Sequence, residues 1–173
     1  MLNTPIHELT RVAGLSNGTF YNHFDDRARL IQETASAIGL VLADEFAQRV
    51  SHIDQGIGRI VVSTQLFITL AGEKPAWGRI LVEAAHSVSD MRFDFARNML
   101  TDIERAIQQG APLRVPESFR LFQIGTLIAV AIEAHIAGHA EASILRATCD
   151  AQLRLLGASP DQAEDAVTIY LKE

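Results

Sequence analysis

Proline interrupts helices and central strands alike, so its positions limit the longest elements a chain can form. This 173-residue chain has five, Pro5, Pro75, Pro112, Pro116 and Pro160, all at the edges of apolar periodic segments. Between them, apolar residues recur with helical spacing, and no alternating strand pattern lasts more than a few residues. No Asn-Gly or Asp-Gly pair sits between alternating segments to mark a hairpin. The expected fold is all-α, with helices near 5–13, 17–24, 27–51, 57–72, 76–88, 91–109, 117–138, 141–156 and 161–171.

Hydrophobic residues make up 48% of the chain, enough for a core, and mixed charges at 21% argue against disorder. A net charge of −6 provides no global attraction to nucleic acid. Cys149 is the sole cysteine, which excludes an internal disulfide and suits a reducing cytoplasm. The first residues lack the apolar stretch of a secretory signal. The most apolar run, Ile124–Ile132, is too short on its own to span a bilayer and predicts no membrane partner.

The strongest local punctuation lies in the first thirty residues. Thr4 and Pro5 are placed as N-cap and first helical residue, and Ile6, Leu9 and Ala13 share one face. Gly14 is expected to end that helix in the left-handed conformation, and Ser16 to cap the next. Leu15 and Phe20 have staple spacing across that cap, while Phe20 and Phe24, four apart, share an inward face. Short helix, glycine turn and second helix is the spacing of a helix-turn-helix. Gly18 keeps the start of the second helix slim, and Asn17, Thr19, Tyr21 and His23 lie on its other sides. Hydroxyls, amides and helix N-terminal N–H groups can contact phosphate without a net positive charge.

These residues sit within "IHELTRVAGLSNGTFYNHFDDRARLI", a 26-residue stretch that resembles the DNA-binding signature of the TetR family of bacterial transcriptional regulators. The resemblance rests on Ala13-Gly14, Leu15-Ser16, Gly18-Thr19-Phe20-Tyr21, His23-Phe24, Arg27 and Leu30. It implies backbone contacts from Thr4, Thr19, Tyr21, His23 and Arg27, and base-edge contacts chiefly from Asn17 and Gly18, with Ser16 in the same DNA-facing set. Pro5 stands where the family usually has threonine, and Arg27 where lysine is commoner. The family fold also has a helix before these two, whereas only four residues precede Pro5 here. The resemblance therefore divides the chain into a truncated head at 1–26, a connecting helix at 27–51 and an effector-binding, dimerising body at 52–173. It implies a ligand-released repressor that binds a palindromic operator as a homodimer. The alternative is a dimeric small-molecule-binding protein whose incomplete head does not engage DNA.

In the body, 117–138 is apolar nearly all round and needs cover on both sides, for which a partner subunit is the expected second layer. Leu121, Ile128, Ile132, Ile136, Leu145 and Leu153 are the expected interface residues. An apolar effector cavity is expected among 57–72, 76–88, 91–109 and 117–138, with Glu83, His86, Gln123, Thr126 and His135 as its polar contacts. Phe67, Trp77, Phe93, Phe95, Phe119 and Phe122 read as core or cavity wall. His135 and His139 have metal-clamping spacing without an evident third ligand, so no metal is assigned, and no cofactor. His86 beside Glu83 lacks an accompanying nucleophile or phosphate loop, so no enzyme activity is assigned. Cys149 reads as a small buried hydrophobe.

Overall fold

A computed structural model describes residues 4–85 and 97–171. Among these residues the elements are helices and the segments joining them, in the order α1 (Ile6–Ala13), α2 (Asn17–His23), α3 (Arg27–Arg49), α4 (Gly56–Glu73), α5 (Pro75–Ala85), α6 (Arg97–Gln108), α7 (Ser118–Ile136), α8 (Glu141–Leu155) and α9 (Pro160–Tyr170). The all-α expectation holds. Residues 86–96, which include His86, Phe93 and Phe95, lie outside the described residues.

Local chemistry sets most of the helix ends. Gly14 terminates α1 at φ 69°, and the Ser16 hydroxyl accepts the Thr19 N–H at 3.0 Å to cap α2. Asp26 caps α3 through the Arg29 N–H at 2.8 Å. Ser159 and Gln162 form a reciprocal capping box at α9, with Pro160 at its first position. One boundary shifts from the sequence reading. Pro5 occupies the cap position of α1 in extended backbone, one residue beyond the Thr4 expected there, and provides no side-chain cap bond.

Helices α3 to α9 pack around three apolar clusters. One joins α4, α6, α8 and α9 through Ile60, Val61, Ile103, Cys149, Leu153 and Val167. A second joins α4, α5, α7 and α8 through Ile68, Val82, Ile132 and Leu145. The third holds α3 against α4 and α5 through Ile38, Leu42, Phe46 and Leu70. Helix α7 is, by length and composition, apolar enough to cross a membrane, which extends the shorter run recognised in the sequence. In this fold it packs against α4, α5 and α8.

The α4–α6 crossing is close because Gly56 opens α4. A Cβ at that position would overlap the Ala106 nitrogen and the Asp102 carbonyl oxygen, both backbone atoms of α6. Gln109 clasps the same corner, accepting from the Gly56 N–H and donating to the Asp54 carbonyl, each at 2.8 Å. Gly56→Ala must push two backbones apart, so urea denaturation should register a loss of about 1–3 kcal/mol.

Candidate effector cavity and nucleic-acid interface

The helix pair α1–α2 is held by a small set of contacts. Phe20 is buried and meets Phe24 at 5.5 Å and the edge of Tyr21 at 5.2 Å between ring centroids. The Thr10 hydroxyl, also buried, lies 2.8 Å from the Asn17 amide oxygen and ties the two helices together. Asn17 thus has a structural task that its exposed position in the sequence pattern did not reveal. Ser16 is occupied as the α2 cap, with its oxygen 2.9 Å from that of Thr19.

The rest of the α2 surface faces water. Tyr21 is 57% exposed, His23 is exposed, and a Cβ on Gly18 would meet only Ser16 Oγ, at an ordinary 3.6 Å. Arg27 occupies the first turn of α3, where the helix dipole disfavours a cation. Its charge has no stabilising use to that helix end, which suits a surface that meets an external anion. Thr4 is half-buried next to α1.

An apolar cavity of about 230 Å³ lies between α3, α4, α5, α6, α7 and α8. The helices named by the sequence surround it, with two additions. Connecting helix α3 forms an entire wall, from Arg29 through Ala35, Gly39 and Phe46 to Ala47, and α8 contributes Gln152. Phe67, Leu81, Leu121, Ile124, Ile128 and Ile132 supply most of the apolar lining.

The polar groups in this cavity are not those expected. Buried Thr64 and Gln152 meet at 2.6 Å, and Arg59 Nε donates to Asp102 Oδ1 at 2.5 Å. Arg59 Nη1 also donates to the Val50 carbonyl at 3.0 Å, so one guanidinium joins the end of α3 to α4 and α6. Burial pushes the Asp102 carboxyl above its ordinary range, outweighing the opposing effects of its Arg59 bond and the charges of Arg59 and Arg105. At the other end of the cavity Arg29 pairs with Glu33 at 2.6 Å. Cys149 lies outside this lining, fully buried, and burial pushes its thiol up to about 12, which leaves it unreactive.

Of the residues expected to contact an effector, His86 lies outside the described residues and the other four lie elsewhere. Glu83 is exposed on α5. Gln123 borders a surface depression with Arg120, Arg154 and Pro160. The Thr126 hydroxyl donates back to the Phe122 carbonyl at 3.0 Å. His135 packs directly on α4 at Gly72, where a Cβ would overlap its ring, and its buried Nδ1 has no hydrogen-bond partner among the described residues. His139 is exposed beyond the end of α7. A sparse polar residue on an apolar helix does not mark a cavity-facing side over any other.

Four of the six expected interface residues belong to this chain's own core. Leu121, Ile132, Leu145 and Leu153 are buried in this chain's own core, and Ile128 and Ile136 pack against it. A helix apolar on every side gives no sequence cue to which side its own core takes. The side of α7 left in water instead carries Phe119, 66% exposed, and Val130, 53% exposed.

No protein-family model and no curated protein matches the sequence. Among solved structures, the crystal structure of RolR in complex with the ligand resorcinol superposes with a TM-score of 0.69. The two chains are 18% identical, and the match covers 99% of this chain and 86% of RolR. Over nearly its whole length, the chain has the fold of RolR.

Proposed function

We propose that this chain is a ligand-responsive DNA-binding regulator of the TetR type, acting as a cytoplasmic homodimeric repressor that a small molecule releases from a palindromic operator. The observation that carries the reading is the double role of α3. It begins directly after the helix-turn-helix and then forms one wall of the cavity. A ligand there touches the element that bears the DNA-contacting helices. It shifts DNA affinity by the difference between its affinities for the two head spacings. RolR, of the same fold, was crystallised with a small-molecule ligand, which supports a ligand in this cavity.

In this reading residues 1–26 form the head, 27–51 the connecting helix and 52–173 the body. Gly18, Thr19, Tyr21, His23 and Arg27 meet the duplex. The exposed side of α7 at Phe119 and Val130 meets a second copy. A twofold axis there sets two heads about 34 Å apart, one helical turn of DNA.

The experiment is selection of duplexes from a random library, followed by anisotropy titration of the recovered sequence at fixed salt. A recovered palindrome supports the reading, and recovery of no sequence above background sinks it. Tyr21→Phe keeps the ring on Phe20 but removes one exposed hydroxyl. Its affinity for selected and random duplexes should fall by the same factor, about tenfold at most. A change confined to the selected sequence would instead assign Tyr21 to base reading.

A further inference from the structure

We infer that the cavity takes an uncharged, single-ring hydroxy compound, and that the buried Gln152 side chain is its polar anchor; this rests on the effector reading above. Size sets the first limit. A dry cavity of about 150 Å³ accepts benzene, so about 230 Å³ holds one ring with small substituents.

Charge sets the second. Among the described residues, the ionic groups in the lining are Arg29, Glu33, Arg59 and Asp102, and each is paired within the lining. A charged ligand would have to break one of these pairs or lie in an apolar cavity without a counter-charge. The described wall therefore favours a neutral molecule.

The third limit comes from one side chain. Gln152 is 1% exposed, yet its amide is not fully used. The Thr64 hydroxyl has one proton and two acceptors in reach, the Ile60 carbonyl at 2.9 Å and Gln152 at 2.6 Å. If that proton goes to Gln152, the amide NH2 is left facing only the Met99 thioether, at 3.5 Å. If the proton goes to Ile60, the amide NH2 donates to the hydroxyl, and the amide oxygen is left beside the thioether. Either way a buried polar atom of Gln152 lacks a strong partner among the described residues of the cavity wall. A ligand hydroxyl satisfies both cases because it donates and accepts. A ring also suits the neighbouring Phe46 and Phe67, which meet edge to face at 5.2 Å and both line the cavity.

The test is calorimetry at pH 7, without DNA, using phenol, toluene and benzoate as probes of similar size. Phenol should bind, and benzoate, charged at this pH, should bind at least about tenfold more weakly. Gln152→Leu should weaken phenol by about tenfold and leave toluene within about twofold. The Thr64 hydroxyl keeps the Ile60 carbonyl in that variant, so no new orphan is buried. Toluene also reports an intact cavity. If Gln152→Leu loses both ligands, Gln152→Met repeats the comparison, and the same loss there overturns the anchor. Benzoate binding as tightly as phenol, equal losses for phenol and toluene, or no binding by any probe each overturns the inference. Phenol binding in the expected pattern without effect on any protein–duplex complex sinks the regulator reading and leaves the ligand class standing.

Discussion

Asp102→Ala should destabilise the fold by about 3–5 kcal/mol, whereas Arg59→Met combined with Asp102→Leu should cost far less. The two side chains are 6% and 14% accessible, so removing the carboxylate strands a guanidinium in a nearly dry corner. That guanidinium still holds the Val50 carbonyl, but its charge has lost its counter-ion. Replacing both partners with apolar side chains removes the buried charges together, leaving the loss at Val50 as the main residual cost. Thermal or urea denaturation of the two variants measures the contrast. Equal destabilisation by both would show that the pair acts through packing alone.

The same carboxyl gives a pH test. Its folded pKa is raised, so in the window above the ordinary value of 3.8 the native state holds more protons than the unfolded chain. Stability attributable to Asp102 must therefore fall as pH rises through that window and recover as pH falls. This is opposite to a carboxylate stabilised by its partner. Asp102→Asn cannot titrate, so wild-type stability relative to Asp102→Asn should increase on acidification. A relative decrease would mean that Arg59 outweighs burial.

The two ends of the molecule differ in how far the sequence reveals them. In the head the decisive contacts are local. Gly14 at the helix end, Ser16 three residues before the Thr19 N–H that donates to it, and Phe20 four before Phe24 obey short-range rules that operate before any tertiary contact forms. In the body the helices were legible from periodicity and prolines, but the cavity chemistry was not. Thr64 and Gln152 are 88 residues apart, and Arg59 and Asp102 are 43 apart. Nothing in either neighbourhood encodes such a pairing. Arg59 and Asp102 look like ordinary surface charges in one dimension and are buried only because the Gly56 crossing draws α6 onto α4. Helix α7 failed for another reason: with apolar residues all round, its hydrophobic pattern carries no phase. Leu121, Ile132, Leu145 and Leu153, expected to face a partner, therefore belong to its own core. Asn17 is intermediate, since its place at the helix start is local but its bond to Thr10 crosses the turn.

Gly18→Val should abolish most DNA affinity without unfolding the protein, and this separates a glycine kept for the fold from one kept for a partner. Gly56 is an internal necessity, because a Cβ there would overlap the backbone of α6. Gly18 has no such constraint. A Cβ there has room, its backbone is helical, and φ is not positive. By helix propensity alone a larger residue should stabilise α2, since glycine is about 0.8–1.0 kcal/mol worse than alanine inside a helix. The chain thus carries at the exposed start of α2 a residue its own stability does not require. Under the proposed function the reason is external: valine methyls would hold the helix start away from the base edges and weaken every contact that depends on its depth. Thermal melting of Gly18→Val should match wild type or exceed it. Its affinity for the selected duplex should fall by at least about tenfold, equivalent to 1.4 kcal/mol. Gly18→Ala, with one methyl, should fall between the two in binding and melt highest. If Gly18→Val melts normally and binds the selected duplex as wild type does, the start of α2 does not enter a groove, and the orientation proposed for the head is wrong.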